Sequence, residues 1–321
     1  MSNLIRVLGR RLIALPIMIL GATLLVFLVM GLSTADPARL ALGESASLEA
    51  LENYRESRGL NDPMLVRYVR YLAALVQGDL GQSFTGVDIS SMVAYSFPIT
   101  LQLTILGVGL AVVIATVLGV VAALYRDRWP DQLIRIVSIA SLATPSFWLA
   151  LLLIQWLGNI PGGAGLFPAV ITDWVGFTDD PARYVDQVFL PVVAIAVPTS
   201  GALTRVVRTS MVEELDRDYV RTAIGAGIPK SEVVGRNVLR NALITPITVL
   251  GLRFAYAMGG AVVIEVIFNI QGMGQLILQG ITRNDIHIVQ GVTITVAIAF
   301  IVVNMIVDLL YILVNPRIRS V

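Results

Sequence analysis

"LIALPIMILGATLLVFLVMGL", residues 12–32, contains no charged side chain. A helix rises about 1.5 Å per residue, so a run of this length crosses the roughly 30 Å hydrocarbon core of a bilayer. It follows the basic "MSNLIRVLGRR", as a secretory leader would. It is longer than a leader's apolar region, however, and no small-residue cleavage site follows closely. The reading is a retained transmembrane helix. Comparable runs at about 99–125, 136–157, 188–207, 246–268 and 287–313 make six expected spans in an all-α polytopic membrane protein. Pro191 and Pro198 in the fourth free backbone carbonyls that neighbouring helices must satisfy, which predicts a span buried in the bundle. Pro145 in "LATPSFWLA" predicts a kink in the third.

Composition agrees. The 321 residues are 56% hydrophobic and 14% charged, with mean hydropathy +0.80, against about 25% charged in ordinary soluble domains. A soluble enzyme is excluded. Cysteine is absent and His287 is the sole histidine, so disulfides, thiolate chemistry and an imidazole metal cluster are excluded as well. No catalytic residue and no metal site are expected. The net charge of +1 gives no basis for a nucleic-acid partner, whereas membrane lipid is an obligatory one.

The basic residues of the short connections set the orientation. Arg6, Arg10 and Arg11, Arg126 and Arg128, seven basic residues between 205 and 240, and Arg317 with Arg319 fall on one side. The short loops 158–187 and 269–286 hold only Arg183 and Arg283. Both termini are therefore expected in the cytoplasm. The outer loop 33–98 is too long for this rule, and its spacing predicts structure. Leu65, Tyr68, Val69, Leu72 and Leu75 recur at helical intervals, and a second helix is expected from Ser47 to Arg58, stopping at Gly59. This region either caps the outer mouth or docks an extracytoplasmic partner.

An energy source is missing from the chain. A P-loop needs glycine followed by lysine and serine or threonine to wrap phosphates, but the only lysine, Lys230, lies in "IPKS" with Pro229 where glycine is required. Ionisable residues within spans are the alternative source. Arg253, Glu265 and Asp308 are the candidates, as pathway or helix-packing groups. A proton-coupled secondary carrier using Glu265 or Asp308 is the rival reading.

Between the fourth and fifth spans lies a polar segment, 210–245. "SMVEELDRDYVRTAIGAG" has helical pattern, with Ser210 and Glu213 spaced as a capping box and Leu215, Tyr219, Ala223 and Ala226 on one stripe. Gly227 can close the helix in the left-handed conformation and Pro229 forbids continuation. Ser231 is placed to cap a second helix that enters the fifth span through Pro246. The expected product is a helical hairpin with a tip of small residues, Ala223, Gly225, Ala226 and Gly227. Such a tip permits close approach to a groove on another protein, with Arg217, Arg221 and Lys230 at the rim. The plainer alternative is a basic loop that anchors the bundle.

"RTAIGAG", with Ala223 four positions before Gly227, resembles the E-A-A-x-x-x-G loop of ATP-binding-cassette importer permeases. The wider "DYVRTAIGAGI…LRNALITP" is similar to the version in the dipeptide, oligopeptide and nickel permease family, where arginine at the position of Arg221 is common. The likeness continues through "DPARLALG", "RGLNDPMLVRYVRYLAALVQGDLGQSF", "TLQLT", "PSFWLA", "EVIFNIQGMGQL", "VQGV" and "VNMIVDLLYILVNPRIR". The resemblance implies a type I importer permease fold, organised as 1–98 (first span and helical outer loop), 99–314 (five-helix core with coupling loop 210–245) and the tail 315–321. It implies import of di- or oligopeptides, driven by ATP and Mg²⁺ bound on partner ATPases rather than on this chain. It further implies a homologous second permease, two ATPase subunits, an extracytoplasmic binding protein, and coupling through Tyr219, Arg221, Thr222, Ala223, Gly225, Ala226, Gly227, Ile228 and Pro229. Three positions depart from the family's pattern. Pro246 comes one position late, Arg253 stands where a neutral residue is usual, and Asn315 replaces an aspartate.

Overall fold

A computed structural model describes residues 2–31, 36–43 and 45–314, with the side chains of 2–13, 15, 30 and 308–314 excepted. The tail 315–321, with Asn315, Arg317 and Arg319, lies outside the described residues. Every regular element described is helical: α1 (Ser2–Gly31), α2 (Pro37–Leu42), α3 (Leu48–Ser57), α4 (Met64–Val76), α5 (Ile89–Leu124), α6 (Trp129–Ala143), α7 (Ser146–Leu157), α8 (Pro181–Leu215), α9 (Asp218–Gly225), α10 (Lys230–Glu232), a π-helical turn (Val233–Val238), α11 (Leu239–Ala242), α12 (Ile244–Phe268), α13 (Met273–Thr282) and α14 (Ile286–Val314). The chain divides into two compact units, one built on Thr100–Ile270 and the other on Gly9–Ile99 with Gln271–Val302.

Among the described residues four helices, in α5, α8, α12 and α14, are long and apolar enough to cross a membrane, and the bent pair α6 and α7 makes up to five. Six were expected. The first expected span falls in the 30-residue α1, whose Pro16–Val29 ranks as a shorter apolar helix. The third, expected as one kinked helix, is instead two helices meeting at 100°. Thr144 before the proline is extended (φ −83°, ψ 117°) and Pro145 follows suit (φ −63°, ψ 137°), so the chain leaves the helical region for two residues. The resulting pieces of 15 and 12 residues are about 22 and 18 Å long, each too short to cross alone.

In the first unit α8 is the central helix, packing against α6, α7, α11 and α12. It is longer than expected, running from Pro181 to Leu215. Of its most apolar window 67% is buried, against 28% to 33% in the other three spans, as expected, with Pro191 itself buried and Pro198 half-buried. Hydroxyls bond to carbonyls near Pro198: Thr199 donates to Ile195 at 2.8 Å and Ser200 to Val197 at 2.8 Å. Gly201 lets α6 come close, since a Cβ there would lie 2.5 Å from the Ser138 carbonyl.

The second unit contains α2, α3, α4 and α13. Helix α3 begins where expected, with the Ala50 amide donating to Ser47 Oγ at 3.2 Å, and Gly59 follows it at φ +62°. The stripe expected on α4 is rotated, for Leu65 and Val69 are 74% and 58% exposed. Its inward seam is set by tyrosines. The Tyr68 ring lies 5.3 Å and the Tyr71 ring 6.0 Å from Phe27, and the Tyr68 hydroxyl donates to the Leu20 carbonyl at 3.1 Å. Helix α13 lies within the short connection 269–286, where Gly272, Gly274 and Gly280 weaken the helical signal. Burial of Met273 and Leu276 against Ile89, Val93, Ile288 and Val292 stabilises it.

Candidate functional site

The segment between α8 and α12 is a helical hairpin, though not with the ends expected. Ser210 and Glu213 are no capping box, because α8 continues through them to Leu215 and Ser210 is buried within it. Val207, Met211 and Leu215 extend one apolar seam at four-residue intervals with no breaker between them, so the helix has no reason to stop earlier. The true break is at Asp216 and Arg217, and α9 begins at Asp218.

Helix α9 ends in a Schellman motif. The Gly227 amide donates to the Ile224 carbonyl at 3.0 Å and the Ile228 amide to the Ala223 carbonyl at 3.2 Å, with Gly227 at φ +85°. Pro229 then precedes α10, and Ser231 lies inside that helix instead of capping it. The return strand of the hairpin is not a regular α-helix. Its π turn closes through the Leu239 amide on the Val234 carbonyl, an i to i−5 bond. That spacing brings Val233 and Val238, both fully buried, into one cluster with Val207, Met211, Val220, Val234 and Ala242.

The sequence-selected residues divide into root and tip. Tyr219 and Ala223 pack against the buried cluster. Arg221, Thr222, Gly225, Ala226, Gly227, Ile228 and Pro229 are exposed, and of the predicted stripe only Ala226 faces outward. The Tyr219 hydroxyl donates to Glu214 Oε1 at 2.9 Å, and Asn241 Nδ2 donates to the same oxygen at 3.2 Å. Burial, with Glu214 beside it, raises the Tyr219 hydroxyl above its ordinary pKa. Three elements thus meet at one carboxylate. A Cβ on Gly225 would meet nothing within 4 Å, so no packing inside the chain accounts for a glycine that costs a helix about 1 kcal/mol. Ile224 and Ile228, 43% and 39% exposed, add an apolar surface beside it.

A second site lies within the same unit. Leu142, Thr144, Pro145 and Ser146 at the break between α6 and α7, Ile195, Pro198 and Thr199 of α8, and Arg253, Tyr256, Ala257 and Gly260 of α12 line a cavity of about 300 Å³. Arg253, chosen from sequence as a pathway candidate, is therefore placed in it. Its Nε is buried without a hydrogen-bond partner among the described residues. Glu265 is fully buried about 18 Å further along α12, outside the cavity lining, so the two are not a pair. Asp308 is in α14, and its side chain lies outside the described residues.

One arrangement had no sequence signal. Asp131 at the start of α6 is fully buried, and Arg208 of α8 donates to both its oxygens at 2.6 Å. Partners 77 residues apart leave no local pattern to read.

The family of binding-protein-dependent transport system inner membrane components matches residues 115–320, and the N-terminal membrane-component family of such systems matches 4–104. This chain belongs to that family. It is an ABC importer permease and a multi-pass protein of the cytoplasmic membrane. The permease is 36% identical over 307 residues to a Brucella abortus (strain 2308) protein named for a peptide transport system permease, covering 95% of this chain and 96% of that one. It is 35% identical over 338 residues to an Escherichia coli K12 protein named for a D,D-dipeptide transport system permease, with 97% of each covered. A glutathione transport system permease of Escherichia coli O6:H1 is 33% identical over 312 residues, again with 97% of each covered.

Proposed function

We propose that the permease imports short peptides as one of two homologous membrane subunits. Two ATPases that hold ATP and Mg²⁺ sit beneath it, and a binding protein delivers cargo from outside. Both termini and the α9–α10 hairpin are cytoplasmic in this reading. The hairpin tip seats in a groove on an ATPase. Closure of the ATPases moves the tip, and the root carries that motion into α8, the central helix of its unit. Coupling of this kind needs the partner to engage the tip differently in its two states.

The observation that carries the reading is the contrast between an exposed tip of small and apolar residues and a tightly packed root. Peptide cargo is favoured by the names of the relatives.

The test is Gly225→Leu alongside Gly227→Asp. Gly225→Leu adds bulk into open space and improves helix propensity, so the chain inserts normally while the ATPases no longer co-purify and uptake falls at least tenfold. Gly227→Asp also strains the left-handed turn and abolishes transport. Wild-type uptake by Gly225→Leu would defeat the coupling role. Because the chain lacks cysteine, Ala226→Cys reports orientation. An impermeant maleimide labels it only in inside-out vesicles, and labelling of intact cells contradicts the assignment.

A further inference from the structure

Arg253 lines the cavity at the break between α6 and α7 with no described acid beside it. Arg253 makes no hydrogen bond or ion pair with any described residue, and no aspartate or glutamate lines the cavity. Arg253 is half-buried, and a guanidinium whose Nε is buried without a partner is costly. It is also a planar fork of donors suited to a carboxylate.

A second donor set borders the same space. Helix α7 starts at the cavity, with Pro145 and Ser146 in the lining. Its first helical hydrogen bond runs from the Leu149 amide to the Pro145 carbonyl, so the amides of Ser146, Phe147 and Trp148 precede the ladder. They form the positive end of a 12-residue helix. The two hydroxyls of Thr144 and Thr199 are already donating to Ala140 and Ile195 carbonyls at 2.8 Å and do not compete. A cavity of about 300 Å³ is at the small end of ligand sites, and it fits the end of a chain rather than a whole oligopeptide.

We infer that this cavity is a transient binding point for the carboxylate of the passing cargo, held by Arg253 and the first turn of α7. For the peptides proposed above, on which this inference rests, that group is the C-terminal carboxylate. Because cargo must leave as well as enter, the site contributes to rate, not to tight retention.

The test uses the whole transporter in proteoliposomes: this permease, its partner permease, both ATPases and the binding protein. Uptake of an equimolar mixture of unmodified dipeptides is followed by mass spectrometry and normalised to co-purified complex. With Arg253→Gln import falls at least tenfold, and with Arg253→Lys, which keeps the charge, it stays within threefold of wild type. Wild-type rates in Arg253→Gln overturn the inference and leave the peptide reading standing. Equal losses in both variants overturn it too, by making Arg253 a packing residue. The same assay in phosphatidylcholine alone and with phosphatidylglycerol separates cargo from lipid. A defect that vanishes without anionic lipid assigns Arg253 to a headgroup and overturns the inference. If the wild-type transporter imports no dipeptide, the peptide reading falls and takes this inference with it.

Discussion

At the root of the hairpin, Ala123 and Ala242 are buried among Met211 and five valines, and Ala223 packs against them. At the tip, two or four residues further along the chain, a Cβ added at Gly225 or Gly227 would meet nothing within 4 Å. Small residues occur in both places for opposite reasons. At the root they fill space next to β-branched neighbours within the chain. At the tip they leave space, which matters only to something that approaches from outside. Substitutions should therefore separate the regions, with root changes lowering the stability of the isolated permease and tip changes lowering only transport.

The largest effect is expected beside the root. Asp131→Ala leaves Arg208 without its bidentate partner in a site where Asp131 is fully buried. A loss of about 3 kcal/mol follows, at the low end for a broken buried pair because Arg208 retains some exposure. Denaturant titration in detergent measures it, and an unchanged midpoint would show that α6 and α8 do not depend on the pair. A smaller loss, about 1 kcal/mol, is expected for Tyr219→Phe, which removes the hydroxyl bonded to Glu214 while Asn241 still satisfies that carboxylate. The smallest effect has the opposite sign. Gly225→Ala stabilises the hairpin by up to about 1 kcal/mol through helix propensity, while transport is reduced about twofold by one added methyl at the tip. A destabilised Gly225→Ala variant would mean that the tip packs against its own chain and would erase the contrast.

Much of this was readable in the sequence because it depends on local chemistry. Gly227 followed by Pro229 dictated the turn, since one tolerates a left-handed backbone and the other forbids helix continuation. Ser47 and Gly59 bracketed α3 for similar reasons. The prolines of α8 correctly implied burial. The failures were of another kind. The Ser210 and Glu213 capping box matched in spacing, but the apolar seam through Val207, Met211 and Leu215 outweighed it. Ser231 lost its capping place because Pro229 already starts the turn. The π turn arose where valines five positions apart share one cluster, a periodicity that a search for 3.6 does not see.

Arg253 shows the division most clearly. Sequence alone established that an arginine lies inside a span, and hydropathy could say no more than that it serves the pathway or helix packing. Its place in a cavity was decided by the 100° break at Pro145 and by α8, so that three separate stretches of chain line the same space. Composition, run length and turn chemistry act between neighbours in the chain, and they determined a polytopic helical membrane protein with a polar hairpin between two of its spans, which its motifs likened to an importer permease. Packing acts between residues far apart in the chain, so the buried Asp131–Arg208 pair, the inward seam of α4 and the cavity came only from the tertiary structure.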